Sequence, residues 1–441
     1  MAHLHLSREL LNGAFNGERN LEELVPLVLQ HLFDLCPECQ RAFDGWRQEG
    51  AHTHLEQKTP TQELPFHAES SMKRIRAEQV IALERVRDLA AMPRDLRLEA
   101  VEKAPKIYQG AALGNLLIES SRECMPGKPH DSLLFAQLAR AVLEHSVLSP
   151  LIGELYARAV AYVANAWRVI GRLPEASEVI SHSRFLLKVE SGSDPSVRAE
   201  IDKLEGLIRF YQRRFGAAER LLGRAIRGFK SMGLDQEALR SEIYLGLVYR
   251  DLGRSDRAVA VFERLIGCLE TQEPDRMLLY VRKNLALSLC DLGRFAEARQ
   301  ELAALGPLFP LFGDDVTRLK ALWIEGLVAL GMEELDLAVS HFRAVQHGFS
   351  QLELTVDEAL VSIDLARAYL MQGRAGDVQE IAAKLAPLFT EQESYREAYI
   401  ALMLFQDAAT LSQVSLRLLE NLATYLLYFQ RDPSFVFQQT S

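Results

Sequence analysis

A short phrase returns along this chain at a nearly constant interval, and no other feature of the sequence restricts the fold so tightly. It reads Gly171-Arg172-Leu173-Pro174-Glu175-Ala176, Gly253-Arg254-Ser255-Asp256-Arg257-Ala258, Gly293-Arg294-Phe295-Ala296-Glu297-Ala298 and Gly373-Arg374-Ala375-Gly376-Asp377-Val378. Two more copies, Arg213 to Ala218 and Glu333 to Ala338, keep the pattern with the glycine replaced. The last residue of the phrase falls at 176, 218, 258, 298, 338 and 378, an interval of 42 followed by four of 40. A fixed period of this length marks a stacked array whose units bury their apolar faces against their neighbours.

Each unit has a two-helix logic. The glycine stops a first helix, because it takes the left-handed cap conformation cheaply. A second apolar-periodic helix starts a few residues later. Twelve residues before the last position stands a small residue: Ala164, Gly206, Gly246, Ala286, Gly326 and Ala366. Four residues after it stands an apolar one: Ile180, Leu222, Phe262, Leu302, Phe342 and Ala382. Small residues on the first helix let the second approach closely, and the i, i+4 pair on the second faces its partner.

Gly246, Tyr249, Gly253, Ala258 and Phe262 carry this pattern most fully. Here the chain resembles the tetratricopeptide repeat family, over about Leu151 to Leu388. The usual unit of that family is about 34 residues, so each unit here carries about six more. They are expected in longer helices or inter-repeat turns, as at Gly306-Pro307-Leu308-Phe309-Pro310. The helical-repeat sensor domains of some bacterial regulators resemble this longer form. The resemblance implies an all-α, right-handed helix-hairpin solenoid.

Composition agrees. Only 26 Gly and 16 Pro in 441 residues leave few helix breakers, and 48% apolar residues suffice for a core. Five cysteines rule out a disulfide framework and suggest a reducing, cytoplasmic setting. A formal charge of −10 argues against a protein that coats nucleic acid. Met1 to Asn20 lacks an apolar stretch behind a basic head, so no signal peptide is expected. No apolar run approaches the roughly 20 residues of a membrane span.

The expected organisation is a small helical module at 1–45, a polar linker at 46–70, and a helical region of degenerate hairpins at 71–150. Six repeats follow at 151–390, and a capping helical pair at 391–430. In that last stretch Leu418, Leu419, Leu422, Leu426 and Leu427 form an apolar stripe suited to closing the final open face.

The first forty residues carry the metal-like chemistry: His5, Gly13, His31, then Cys36-Pro37-Glu38-Cys39. This resembles the zinc-binding domain of bacterial anti-sigma factors. That resemblance implies a Zn²⁺ site of His5, His31, Cys36 and Cys39, tetrahedral with two nitrogens and two sulfurs. His31 and Cys36 have four intervening residues where the family has three, which on a helix sets them about 140° past a full turn. The site needs the helix to loosen after Phe33, or else His31 is not a ligand. The alternative is two small, partly buried cysteines with both histidines on the surface.

Two sets of residues suit a partner. Arg220, Arg224 and Arg227 share a helix face in a basic stretch of the second repeat that contains only Glu219 as a counter-charge. They fit an acidic partner, or else a solvated face paired with acidic neighbours. The first helices of such repeats line a groove in the family, and the matching positions are Arg240, Arg250, Tyr280, Lys283, Trp323 and Arg367. Arginine and aromatic residues often dominate binding energy, although Trp323 and Tyr280 equally suit packing between repeats.

No phosphate loop, His-Glu-x-x-His or Gly-x-Ser-x-Gly occurs. The expected function is therefore a non-enzymatic scaffold or adaptor that takes a peptide or protein partner in its groove. The rival is a transcription regulator whose N-terminal module binds a sigma factor while the repeats sense a signal. A third reading is a sensor half whose effector enzyme is a separate chain. No membrane partner is expected, nor a nucleic acid, since the first seventy residues show no basic recognition helix.

Overall fold

The computed structural model describes residues 66–385, with breaks at 126, 148–149, 190–193 and 272–274, together with part of 402–409 and residues 414–429. Within these lie eighteen α-helices and no strand. The chain divides into two compact units, Met1–Ile208 and Arg209–Ser441.

The first unit contains α1 (Phe66–Ala91), α2 (Arg97–Lys103), α3 (Ala111–Cys124), α4 (Pro129–Glu144), α5 (Pro150–Val169), α6 (Leu173–Val189) and most of α7 (Pro195–Tyr211). The pairs α3/α4 and α5/α6 pack as antiparallel hairpins, with α4 against α5. Helix α1 begins at Phe66, inside the stretch expected to be linker; no glycine or proline follows Pro65 until Pro93, so nothing stops the helix. Helix α3 ends at Cys124 and α4 starts at Pro129, which occupies its first turn, where the missing N–H costs nothing.

A polar knot lies in this unit. The Arg158 guanidinium donates to Glu200, Glu119 and Asn115, and the Tyr162 hydroxyl donates to Glu200 at 2.6 Å. Burial alone would raise the Glu200 carboxyl. Arg158, Lys203 and the Tyr162 hydrogen bond instead hold it down, to about 2.

The second unit continues with α8 (Phe215–Ser231), α9 (Asp235–Asp251), α10 (Ser255–Leu269), α11 (Arg276–Asp291), α12 (Phe295–Leu305), the one-turn α13 (Phe309–Phe312), α14 (Asp315–Gly331), α15 (Leu335–Gln351), α16 (Thr355–Met371), α17 (Ala375–Leu385) and α18 (Leu416–Phe429). Here α9/α10, α11/α12, α14/α15 and α16/α17 are successive hairpins. The first helices touch one another in order, α9 to α11 to α14 to α16, and α18 packs on α16. Helices α8, α9, α14, α15 and α16 are each 17 residues long, so much of the extra repeat length sits in the helices.

The recurring phrase makes the turn. Gly253, Gly293 and Gly373 have φ of +72°, +71° and +71°. The next amide reaches back to the carbonyl five residues earlier: Arg254 to Tyr249, Arg294 to Leu289 and Arg374 to Tyr369, each at 2.9 Å. This is the Schellman closure, which satisfies the orphan carbonyls of the first helix. Where the glycine is replaced, the backbone does not change. Arg213 and Glu333 take φ of +60° and +62°, and Arg214 and Glu334 still bond back to Arg209 and Ala329. The arginine after the glycine pairs with the acid three residues on, as in Arg294–Glu297 and Arg374–Asp377.

Candidate binding cleft

Because the first helices lie side by side, a residue on the inner face of one is followed 40 positions later by a neighbour on the next. The rows Lys283/Trp323, Asn284/Ile324/Asp364 and Leu287/Leu327/Arg367 run across α11, α14 and α16 in this way. They line a cleft of about 790 Å³ within the second unit. Helix α9 adds Arg250 and Asp251 at one edge, and α18 closes the other with Glu420, Ala423, Thr424 and Leu427.

The cleft is mixed in character. Leu287, Leu327, Leu360 and Leu427 supply apolar surface. Trp323 leans edge-on against Phe349, with ring centroids 6.0 Å apart, and its indole N–H donates to Asp364 Oδ2 at 2.8 Å. Arg367 donates to Asp364 Oδ1 at 3.1 Å and lies 3.8 Å from Glu420. Burial still pushes the Asp364 carboxyl above its usual range, against the pull of Arg367 and Trp323.

The other edge gathers cations. Lys320 pairs with Asp357 at 3.3 Å, and Arg250 with Asp251 at 3.1 Å. The Lys283 ammonium stands 4.9 Å from the centre of the Tyr280 ring. Burial, then the like charges of Lys320 and Arg250, push the Lys283 ammonium down to about 8, opposed by Asp314. Burial raises the Tyr280 hydroxyl to about 12 and the Cys290 thiol to about 12.

Of the residues expected in a groove, Arg250, Lys283, Trp323 and Arg367 meet in this cleft. Tyr280 touches it through Lys283. Arg240 is absent from its walls and pairs with Glu237 at 2.9 Å. Trp323 does both things the sequence allowed, packing on the core and reaching the cleft. Arg220, Arg224 and Arg227 are exposed on α8, away from the cleft. The sequence reading missed Lys320, Asp357, Asp364 and Glu420. The 40-residue register signals two of them, since Lys320 follows Tyr280 by one period and Asp364 follows Asn284 by two.

The expected zinc ligands His5, His31, Cys36 and Cys39 lie outside the described residues. Among the described residues, no group of three or more His, Cys, Asp or Glu is placed to hold a metal ion, and no helix is long and apolar enough to cross a membrane.

No family model matches the chain, and no curated protein matches it by sequence. Among solved structures it is similar to aspartyl phosphate phosphatase F from Bacillus subtilis, with a TM-score of 0.51 at 14% identity, over 84% of this chain and 94% of that one. It is also similar to a Rap protein complexed with competence and sporulation factor, with a TM-score of 0.51 at 14% identity, over 83% of this chain and 98% of that one. At this identity the likeness is one of fold: the chain has a tetratricopeptide-like helical repeat fold.

Proposed function

We propose that this chain is a binding adaptor that captures a peptide segment of its partner in the cleft between α9, α11, α14, α16 and α18. The observation that carries this reading is the convergence of apolar and charged side chains from four consecutive repeats on one concavity. A cleft of about 790 Å³ is of ligand-binding size. Its apolar rows suit side-chain anchors, and its flanking charges suit orientation and register. The Rap protein to which the fold is similar was solved with a bound factor, so an architecture of this kind is compatible with ligand capture.

Photo-crosslinking of the full chain tests this. A benzophenone amino acid replaces Leu427, 44% exposed on the cleft wall, or Leu337, 45% exposed on α15 outside the cleft. Short random-sequence peptides are expected to crosslink at position 427 and not at 337. Equal capture at both positions, or none at 427, overturns the reading.

A further inference from the structure

We propose that the outer face of α8 is a docking surface, separate from the cleft, for an acidic helix of a partner protein. The face is a stripe of alternating glycine and arginine. Gly216, Arg220, Gly223 and Arg227 stand at i, i+4, i+7 and i+11 of α8 and so share one side of it. Arg220 and Arg227 are both exposed, two turns apart, or about 10 Å along the axis. Arg224 is exposed on the flank of the stripe.

The recurring phrase shows that positive charge is left over at this repeat. Elsewhere the arginine after the cap residue pairs with an acid three positions on, as in Arg172–Glu175, Arg294–Glu297 and Arg374–Asp377. In the second repeat the matching residues are Arg214 and Ala217. Helix α8 has no acid in its first turn, whereas α6, α10, α12, α15 and α17 have one each. A helix start favours acids, so their loss here runs against the helix dipole. The one acid of α8, Glu219, pairs with Arg254 of the next repeat at 3.5 Å. Arg214, Arg220 and Arg227 have no ion pair among the described residues. Acids on the adjoining helices are committed: Glu237 pairs with Arg240, and Glu242 with Lys230 and Arg264. Glu263 acts on Arg294. Asp235 and Asp256 sit in the first turns of α9 and α10, where the dipole favours them.

The two glycines indicate the shape that meets this charge. A Cβ at Gly216 would meet only Arg220 Nη1, at 3.7 Å, and one at Gly223 only Arg227 Nη1, at 3.6 Å. No core contact requires either glycine, and each weakens the helix. They leave bare backbone between the arginines. A second helix can therefore lie close along α8 while the guanidinium groups reach its carboxylates. Glutamates seven residues apart on that helix match the spacing of Arg220 and Arg227. The net charge of −10 repels a nucleic acid as a whole, whereas a short acidic helix meets the basic stripe alone.

Fluorescence anisotropy of three labelled probes with the full chain tests this. The first is an alanine-rich helical peptide with glutamates along one face. The second has the same composition with the glutamates spread around the helix. The third is a DNA duplex. The striped peptide is expected to bind about tenfold more tightly than the dispersed one, and less tightly as salt rises. Arg220→Gln and Arg227→Gln are each expected to weaken it about tenfold, the loss of one charge-assisted contact. Gly223→Leu keeps every charge and favours the helix, and should weaken binding by a similar factor by holding the two helices apart. Arg343→Gln removes an exposed arginine from another second helix, α15, and should leave the affinity unchanged. The docking face is overturned if the striped peptide does not bind or binds no better than the dispersed one. It is overturned equally by wild-type affinity in Arg220→Gln or Gly223→Leu, by an equal loss in Arg343→Gln, or by tighter binding of the duplex. Peptide capture in the cleft is read separately, by crosslinking at position 427, and stands or falls apart from these results.

Discussion

The ring of Phe262 rests on the bare backbone of Gly246: a Cβ at that glycine would stand 2.7 Å from the ring carbons. The same relation recurs two repeats on, where a Cβ at Gly326 would stand 2.5 Å from Phe342. Phe262 and Phe342 are both fully buried. The small residue on the first helix and the bulky one on the second are thus two halves of one contact, which sets how closely each hairpin closes. Hairpin closure in turn fixes how the first helices stand side by side, and so the walls of the cleft.

Gly246→Ala is therefore expected to destabilise the chain by about 1–3 kcal/mol, the usual cost of overpacking. Phe262→Leu removes the ring atoms that the new methyl would strike. The double variant should lose less than the two single losses added together. Urea unfolding of the four proteins checks this; strict additivity would mean that the two residues do not meet.

The opposite sign is expected at Glu333. It is exposed, yet held at φ +62° by the hairpin turn. A left-handed conformation costs a non-glycine residue about 1–2 kcal/mol. Glycine recovers this but loses some of it to unfolded-chain entropy. Glu333→Gly should stabilise by roughly 0.5–1 kcal/mol, read as a higher urea midpoint with an unchanged slope. Glu353, also exposed and at φ +56°, should behave alike.

Acid should act on the first unit through Glu200. Its folded carboxyl lies near 2, below the ordinary value of 4.5, so its contribution is present above pH 4.5 and is lost as the pH falls from there toward 2. Glu200→Gln leaves Arg158 buried with a weaker partner, and a cost of about 3 kcal/mol at neutral pH is expected. Its stability should also decline less steeply than the wild type's between pH 4.5 and 2. Thermal unfolding across that range is the measurement, and parallel curves would contradict the assignment.

Lys283 carries a stability cost of its own. Its folded ammonium titrates near 8, against 10.5 for the ordinary lysine, so the charged form is disfavoured by folding. Below pH 8 that cost is present in full, and it is relieved as the pH rises from 8 to 10.5, where the unfolded chain binds the extra proton. Lys283→Met is expected to stabilise the chain by roughly 1–2 kcal/mol at pH 7, after allowing for screening at an open cleft. The gain should fade toward pH 10.5. Denaturant titrations at the two pH values decide it; a lysine that stabilises at pH 7 would be carrying out some other role.

The hairpins were legible because their chemistry is local and periodic. Gly253 and Gly293 announce a left-handed turn, and Gly246 with Phe262 announces a close approach, each within one unit of sequence. The phrase was legible even at Arg213 and Glu333, where the glycine is gone, because the flanking apolar rows hold the register. The cleft was only half legible. Arg250, Lys283, Trp323 and Arg367 occupy inner positions that the repeat predicts, but Arg240 on the same helix as Arg250 turns to Glu237 instead. Asp364 was missed because its value depends on Trp323, 41 residues earlier, reaching it across a helix boundary. Glu420 belongs to α18, which carries no copy of the repeat, so no register leads to it.

The central claim is that partners enter the cleft, and filling the cleft tests it most directly. Thr424 is exposed on the α18 wall, so Thr424→Trp places an indole in the concavity without disturbing the core. The affinity of the full chain for the peptides that crosslink at position 427, measured beside its unfolding midpoint, should fall at least about tenfold with the midpoint unchanged. Undiminished peptide binding by a folded Thr424→Trp chain would contradict the account.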